Sequence, residues 1–417
     1  MPSDRTTVTE LGTGLGMLGL ADIDQALQSR SAAMHSLSPE MWQHLARLRD
    51  GGAFDAEFHA AWENGRAFLS AADGLRGRLP QIVEWKGTGR APGDEVAPID
   101  LRVDHVYLVS CKYLSDILFN VSPAAVFEHL LVAGMSRGGR GAAAAARDVV
   151  SGGGDWYAEV APTEYQALYT AVRDAVGRGV GAVPAGRIGL RRAGAARPGR
   201  GSGAPVLPGL GTLEAETGAD MDPGMGAPAS WDAGRTNGPG GVLPELRELP
   251  QLANDLTSAQ RDALGRWLRP GWPPGVKDLY VALSDAVARA SVRRWEAATD
   301  RSGGTGEAML WRLLRIGSAP YFVLGSSAER SLRLRIATSW DWRQHFQLGS
   351  ISLEPQRGGQ PRVGWHAVVR DRTSAETCEV MGHIEVRWSH GRFGGPPEAK
   401  GYLDTPHHLV PGYFALR

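Results

Sequence analysis

Pro98-Ile99-Asp100-Leu101-Arg102-Val103-Asp104-His105-Val106-Tyr107-Leu108-Val109-Ser110-Cys111-Lys112-Tyr113 reads as two short apolar strands around a polar turn. An acid opens the first strand and a lysine closes the second. Side chains alternate along a strand, so Ser110 and Lys112 share a face with Val106 and Leu108, while Tyr107, Val109 and Cys111 share the other. Asp100 reaches Ser110 and Lys112 only if it stands opposite Ser110. That requires an odd loop, such as Asp104, His105 and Val106, with a bulge; a two-residue loop would turn Asp100 to the wrong face.

Lysine usage draws attention to the same place. Of 45 basic residues only Lys86, Lys112, Lys277 and Lys400 are lysines. Where arginine supplies charge almost everywhere, a retained lysine points to a need for a compact ammonium with an adjustable pKa. Lys86 ends the preceding apolar segment, Ile82 to Trp85, as Glu84-Trp85-Lys86. That is a second acid-x-lysine unit, with Asp73 upstream in a helical stretch. Glu84 and Lys86 fall on one strand face and are expected to line the same site as Asp100 and Lys112.

The 417 residues suffice for two or three domains, and 45 acids balance 45 bases. Any binding of nucleic acid must therefore be local. Two cysteines, Cys111 and Cys378, exclude a disulfide framework and a cysteine-rich zinc site. Met1 to Leu20 lacks the basic and apolar regions of a signal peptide, and no apolar run is long enough to span a membrane. These features predict a cytoplasmic protein without a membrane partner.

Helical spacing of Met41, Leu45, Leu48, Phe54, Phe58, Trp62 and Phe68 predicts helices over residues 21 to 80. Strands follow at Ile82 to Trp85, Leu101 to Val103 and Val106 to Cys111, the first two joined by the loop Gly87 to Ala97. Helices are expected around Leu114 to Asn120, around Pro123 to Val132 with Ser122 as N-cap, and from Trp156 to Val176. Residues 178–250 read as a Gly/Ala/Pro/Arg-rich flexible linker. It carries a basic run (Arg187, Arg191, Arg192, Arg197, Arg200) and an acidic one (Glu214, Glu216, Asp220, Asp222). Residues 251–320 look helical, with Ser258 capping a helix through Trp267 and a longer one from Leu279 to Ala298. Leu332 to Ala337, Val363 to Val369 and His383 to Trp388 alternate as strands. The fold class expected is an α/β N-terminal core over 1–177 (helix, three-stranded mixed sheet, helix), a linker, and an α+β C-terminal part with a β-rich domain over 321–417.

Six of the eleven histidines lie between His345 and His408. The spacings of His383, His390, His407 and His408 match no compact zinc pattern, so hydrogen-bonded structural histidines are expected. Glu385-Val-Arg387-Trp388-Ser-His390-Gly-Arg392-Phe393 alternates arginines with aromatics, a pattern suited to stacking bases or meeting phosphates. Arg387, Trp388 and Arg392 are thus substrate-binding candidates, and this domain is a candidate surface for a protein partner.

Pro-x-Asp100, a short hairpin, then Ser110-x-Lys112 at a strand end resembles the PD-(D/E)XK nuclease superfamily of restriction endonucleases, Holliday-junction resolvases and Mrr-like enzymes. The resemblance covers about residues 55 to 135. It departs at Ser110, where the family carries a second acid. Glu84 is the expected replacement, with Glu63 or Glu57 as the helix glutamate some members use. The resemblance implies a restriction-endonuclease-like core and a nuclease dependent on Mg²⁺ or Mn²⁺, with DNA favoured over RNA and a role in restriction or phage defence. Asp100, Glu84 and a backbone carbonyl near Cys111 would hold the metal. Lys112 would orient or deprotonate the attacking water, with Ser110 beside it, and Lys86, Asp104 and His105 would touch substrate. The alternative is a catalytically degenerate scaffold that binds nucleic acid or a partner within a larger complex, Ser110 being the lost acid.

Overall fold

The computed structural model describes residues 3–87, 99–113, 117–130, 155–179, 243–302, 305–326, 331–389 and 391–417. The chain is mixed α/β. Its strands are β1 (Met34–His35), β2 (Val83–Trp85), β3 (Leu101–Val103), β4 (Tyr107–Tyr113), β5 (Ile117–Val121) and β6 (Tyr321–Ser326). They continue as β7 (Ser331–Ile336), β8 (Phe346–Gln356), β9 (Arg362–Asp371), β10 (Thr377–Arg387), β11 (Glu398–Leu403) and β12 (Tyr413–Ala415). Two sheets form among the described residues, one in the order β1-β2-β3-β4-β6-β7-β12 and one in the order β5-β11-β10-β9-β8.

The hairpin takes the odd loop. Leu101 pairs with Val109 and Val103 with Tyr107, leaving Asp104, His105 and Val106 to turn. Asp104 and His105 adopt φ of +49° and +59°. An aspartate tolerates that left-handed region because its short side chain bonds locally; the Asp104 carboxylate accepts from the Gln81 and Ile82 amides at 2.7 and 3.1 Å. Continuing the register puts Asp100 across from Ser110.

Alternation along β4 divides two apolar cores. Val109 and Cys111 pack with Val83, Leu101, Val103, Phe322 and Leu324 against helices α1 (Asp4–Gly16) and α4 (Asp55–Ser70). Leu108 contributes to the core on the far side, which contains Tyr321, Val323, Leu334, Tyr413 and the second sheet. Helices α2 (Ile23–Ser29) and α3 (Pro39–Asp50) extend the first layer. β6 runs parallel to β4, as a long crossover connection permits.

Helix α1 was not apparent from composition. Ser3 caps it, accepting from the Thr6 amide, and Val8, Leu11 and Leu15 recur on its buried face. Glycines let it approach α4: a Cβ on Gly16 would lie 2.3 Å from the Trp62 carbonyl, and one on Gly65 2.1 Å from that of Thr13. Backbone contact this close carries Glu10 inward.

The far core is built on long helices. α5 (Trp156–Val160) and α6 (Pro162–Gly177) occupy the stretch expected as one helix. Pro162 drives the preceding Ala161 to φ −143°, which breaks it. α7 (Ser258–Trp267) is capped by Thr257 in a capping box with Gln260. α8 (Lys277–Ser302) lies on β8 and β9, followed by α9 (Gly306–Leu313) and α10 (Ser339–His345). Trp156, Tyr157, Trp295, Trp342 and Phe393 are fully buried here.

Three expectations change. The helix around Leu114 to Asn120 is strand β5 over its described part, with Asn120 opposite Lys400; branched and aromatic side chains favour the sheet. The three-stranded sheet is larger, because β6, β7 and β12 complete it. The segment 321–417 is accordingly shared between both sheets, a long-range pairing that strand periodicity does not reveal. The helix expected around Pro123 to Val132 is present over its described part, as a π-helix over Ala125–Leu130, with Ser122 at its start accepting from the Ala125 amide at 3.2 Å. Most of the loop Gly87 to Ala97 and most of the linker, residues 180–242 with both charge runs, lie outside the described residues. No helix among the described residues is long and apolar enough to cross a membrane.

Candidate active site

Asp100 stands at the entrance to β3, fixed by its backbone and its side chain. Its amide donates to the Val109 carbonyl at 2.9 Å, its carbonyl accepts from the Lys86 amide at 3.0 Å, and Oδ2 accepts from the Cys111 amide at 2.6 Å. Burial pushes its carboxyl above the usual range, against the pull of Lys112, the Cys111 amide, Ser110 and Arg315. The neighbouring Ser110 hydroxyl is fully buried beside it.

Lys112 follows two residues along the strand. Burial, then the Arg315 charge, lowers it to about 8, while Asp100, Cys111 and Glu10 act in the opposite sense. An ammonium lowered that far exchanges its proton near neutral pH, a property arginine lacks.

The second acid is Glu10, on α1. Trp85 Nε1 donates to its Oε2 at 2.6 Å. Burial first, and then the Asp100 charge, raises Glu10 to about 8, with the Trp85 hydrogen bond and Lys112 opposing. Two carboxyls from a helix and a strand thus share one low-dielectric region with a lysine. Arg315, 3% exposed, approaches from beyond α9 and donates from Nη1 to the Tyr321 hydroxyl at 2.8 Å.

The sequence-based candidates divide around this centre. Asp100, Ser110, Lys112 and Cys111 meet as expected, but Cys111 contributes its amide hydrogen to Asp100, and its thiol is buried on the helix side. Glu84 and Lys86 do share a face; Lys86 Nζ lies 3.0 Å from Glu84 Oε1, and Arg102 lies opposite Glu84. That ion pair occupies Glu84, and the carboxyl coupled to Asp100 is Glu10. Glu57 binds Arg5 at 2.9 Å, and Glu63 faces solvent. Asp73 lies 3.7 Å from Arg335.

Asp104 and His105 sit at the opposite end of the hairpin from Asp100. Asp104 accepts from the turn amides and from Arg78 at 3.0 Å. In the second sheet the Trp388 ring packs among Tyr157, Tyr280 and Phe393. Arg387 lies 3.5 Å from Glu385, and Arg392 stacks over Trp272 and donates to the Leu268 carbonyl. These side chains hold the second core together and form no open stacking platform. His383 bonds Asp404 at 2.8 Å and stacks on Tyr402, as expected of a structural histidine. His390 lies outside the described residues; among the described residues no cluster of three or more His, Cys, Asp or Glu side chains gathers as a metal site.

Glu10 had one legible signal: Ser3 as a cap before the spacing Val8, Leu11, Leu15. Arg315 had none among so many arginines. No known protein family matches the chain, and neither a curated protein nor a solved structure is significantly similar to it.

Proposed function

We propose that the chain is a divalent-metal-dependent nuclease whose centre is Asp100, Glu10 and Lys112, with DNA as the favoured substrate. The observation that carries this reading is the buried carboxyl pair Glu10 and Asp100, brought together from α1 and β3 beside a lysine lowered to about 8. Two buried acids repel unless a proton or a cation intervenes. Mg²⁺ commonly binds through one or two carboxylates and completes its shell with water and phosphate oxygens. The donor set fits, and the buried Ser110 hydroxyl adds a polar atom beside it. When bound, the ion would lower the pKa of a coordinated water and offset charge on the phosphoryl oxygens.

The chain's own residues have separate roles in this reading. Glu10 and Asp100 hold the ion, Asp100 being oriented by the Cys111 amide. Lys112 Nζ positions the attacking water and faces the charge that grows on phosphorus. A bond forms from water oxygen to phosphorus, the bond to the leaving oxygen breaks, the water proton passes to solvent, and the leaving oxygen takes a proton from solvent. Restriction or defence against phage is the setting that the nuclease resemblance suggests.

A second reading is a binding scaffold without catalysis. Ser110 in place of an acid favours it, as does the presence of two cations, Lys112 and Arg315, able to balance Glu10 and Asp100 without metal. Incubating the protein with labelled DNA and RNA in Mg²⁺, Mn²⁺ or EDTA separates the two. Metal-dependent cleavage supports the nuclease, and binding without cleavage supports the scaffold.

A further inference from the structure

Arg315 violates two rules at once. Its backbone takes φ +59°, immediately past the end of α9, where the Ile316 amide reaches back to the Trp311 carbonyl at 2.6 Å. That helix-ending position favours glycine, and a side chain there is strained. Its guanidinium is also buried, and Nε and Nη2 have no partner. Leaving a buried cation's donors unsatisfied is expensive, so two penalties at one residue point to a use for it.

The geometry of the orphaned donors is specific. Nη1 is spent on Tyr321, which leaves Nε and Nη2, the side-on edge of the guanidinium. That edge presents two parallel N–H groups, both able to donate to one oxyanion between them. Arg315 and Lys112 line one small cavity of about 20 Å³, together with Ile117, Leu118, Val323, Leu332, His407 and Tyr413. The volume holds one water or one phosphate oxygen. Gly325 stands opposite Lys112 in the ladder, and a Cβ there would lie 2.5 Å from the Lys112 carbonyl, so a glycine lets β6 pack closely against β4 at the lysine.

We propose that Arg315 and Lys112 form an oxyanion site that grips a phosphoryl group of the nucleic-acid strand at the Asp100 centre. The identity of the strand rests on the nuclease reading; the anion site itself is testable without it. Arg315 supplies the directional fork and Lys112 the compact charge. Entry of the anion displaces any water in the cavity and satisfies Nε and Nη2.

The test uses the full chain and inorganic phosphate as probe, at ionic strength held constant with chloride. Phosphate should raise the thermal midpoint of the wild type saturably, on the order of 2 °C. Arg315→Lys keeps the charge but removes the fork, and should lose this response. Leu332→Phe fills the cavity and leaves Arg315 intact, so it should lose the response even if Arg315→Lys does not fold. Cleavage by either variant should fall by about 100-fold, the size expected for one preorganised oxyanion donor. A wild type indifferent to phosphate, or an Arg315→Lys variant that responds like wild type, overturns the proposal. A phosphate response that depends on Arg315 without any cleavage by wild type keeps the anion site and removes the nuclease reading. Full cleavage by Arg315→Lys does the reverse.

Discussion

Trp85 Nε1 donates a 2.6 Å hydrogen bond to Glu10 Oε2, fastening a helix carboxyl to the strand beside Asp100. Between its ordinary 4.5 and about 8, Glu10 keeps its proton in the folded chain and releases it in the unfolded one. The folded state binds more protons over that window, so stability falls as pH rises through it. Lys112, lowered from 10.5 to about 8, contributes the opposite slope above pH 8. In the metal-free protein the Glu10 effect between about pH 5.5 and 7.5 should be on the order of 2 kcal/mol. Glu10→Gln should flatten the slope in urea unfolding at the two pH values; an unchanged slope would mean that Glu10 is not the strained group.

The approach of α1 to α4 is predicted to be the mechanical support of the site. Gly65→Ala puts a methyl group where the Thr13 carbonyl lies 2.1 Å away. It should cost about 2–4 kcal/mol in urea unfolding. Gly177→Ala ends a helix in open space and should be neutral or mildly stabilising. Equal effects from the two would contradict the close packing.

The hairpin was legible because strand alternation and loop parity leave few options: once Asp100 must face Ser110, the loop must be Asp104 to Val106. Helix α4 was legible from the spacing of Phe58, Trp62 and Phe68. Helix α1 was not, since Gly12, Gly14 and Gly16 look like loop residues until a partner helix makes close approach worthwhile. β6 pairs with β4 across most of the chain, Tyr321 opposite Leu108, and β12 returns to β7, Tyr413 opposite Ile336; local pattern carries no record of either pairing. At the site, Asp100 and Lys112 stood out by position, whereas Glu10 and Arg315 belong to it only through tertiary packing. Trp388 and Arg392 show the limit of the pattern, because an alternating Arg/aromatic strand looks the same whether its side chains meet bases or Tyr157 and Trp272.

Asp104 should prove structural. Asp104→Ala removes acceptors for Gln81, Ile82 and Arg78 and leaves an alanine at φ +49°. The cost should be about 2–3 kcal/mol. Activity measured well below the unfolding midpoint should be unchanged; a selective loss of substrate affinity would return Asp104 to the binding surface.

Trp388 should behave in the same way. Its ring supports Tyr157, Tyr280 and Phe393, so Trp388→Ala should cost about 3 kcal/mol while leaving oligonucleotide affinity intact by fluorescence anisotropy. Weakened binding in a variant of normal stability would indicate a stacking role.

The most direct measurement is cleavage of DNA and RNA with Mg²⁺ or Mn²⁺ by wild type, Asp100→Asn, Glu10→Gln, Lys112→Met and Glu84→Gln. The proposed centre predicts metal-dependent cutting by wild type, at least about 100-fold loss in the first three variants, and retention in Glu84→Gln. An inert wild type, or Asp100→Asn and Glu10→Gln variants that cut like wild type, would contradict it.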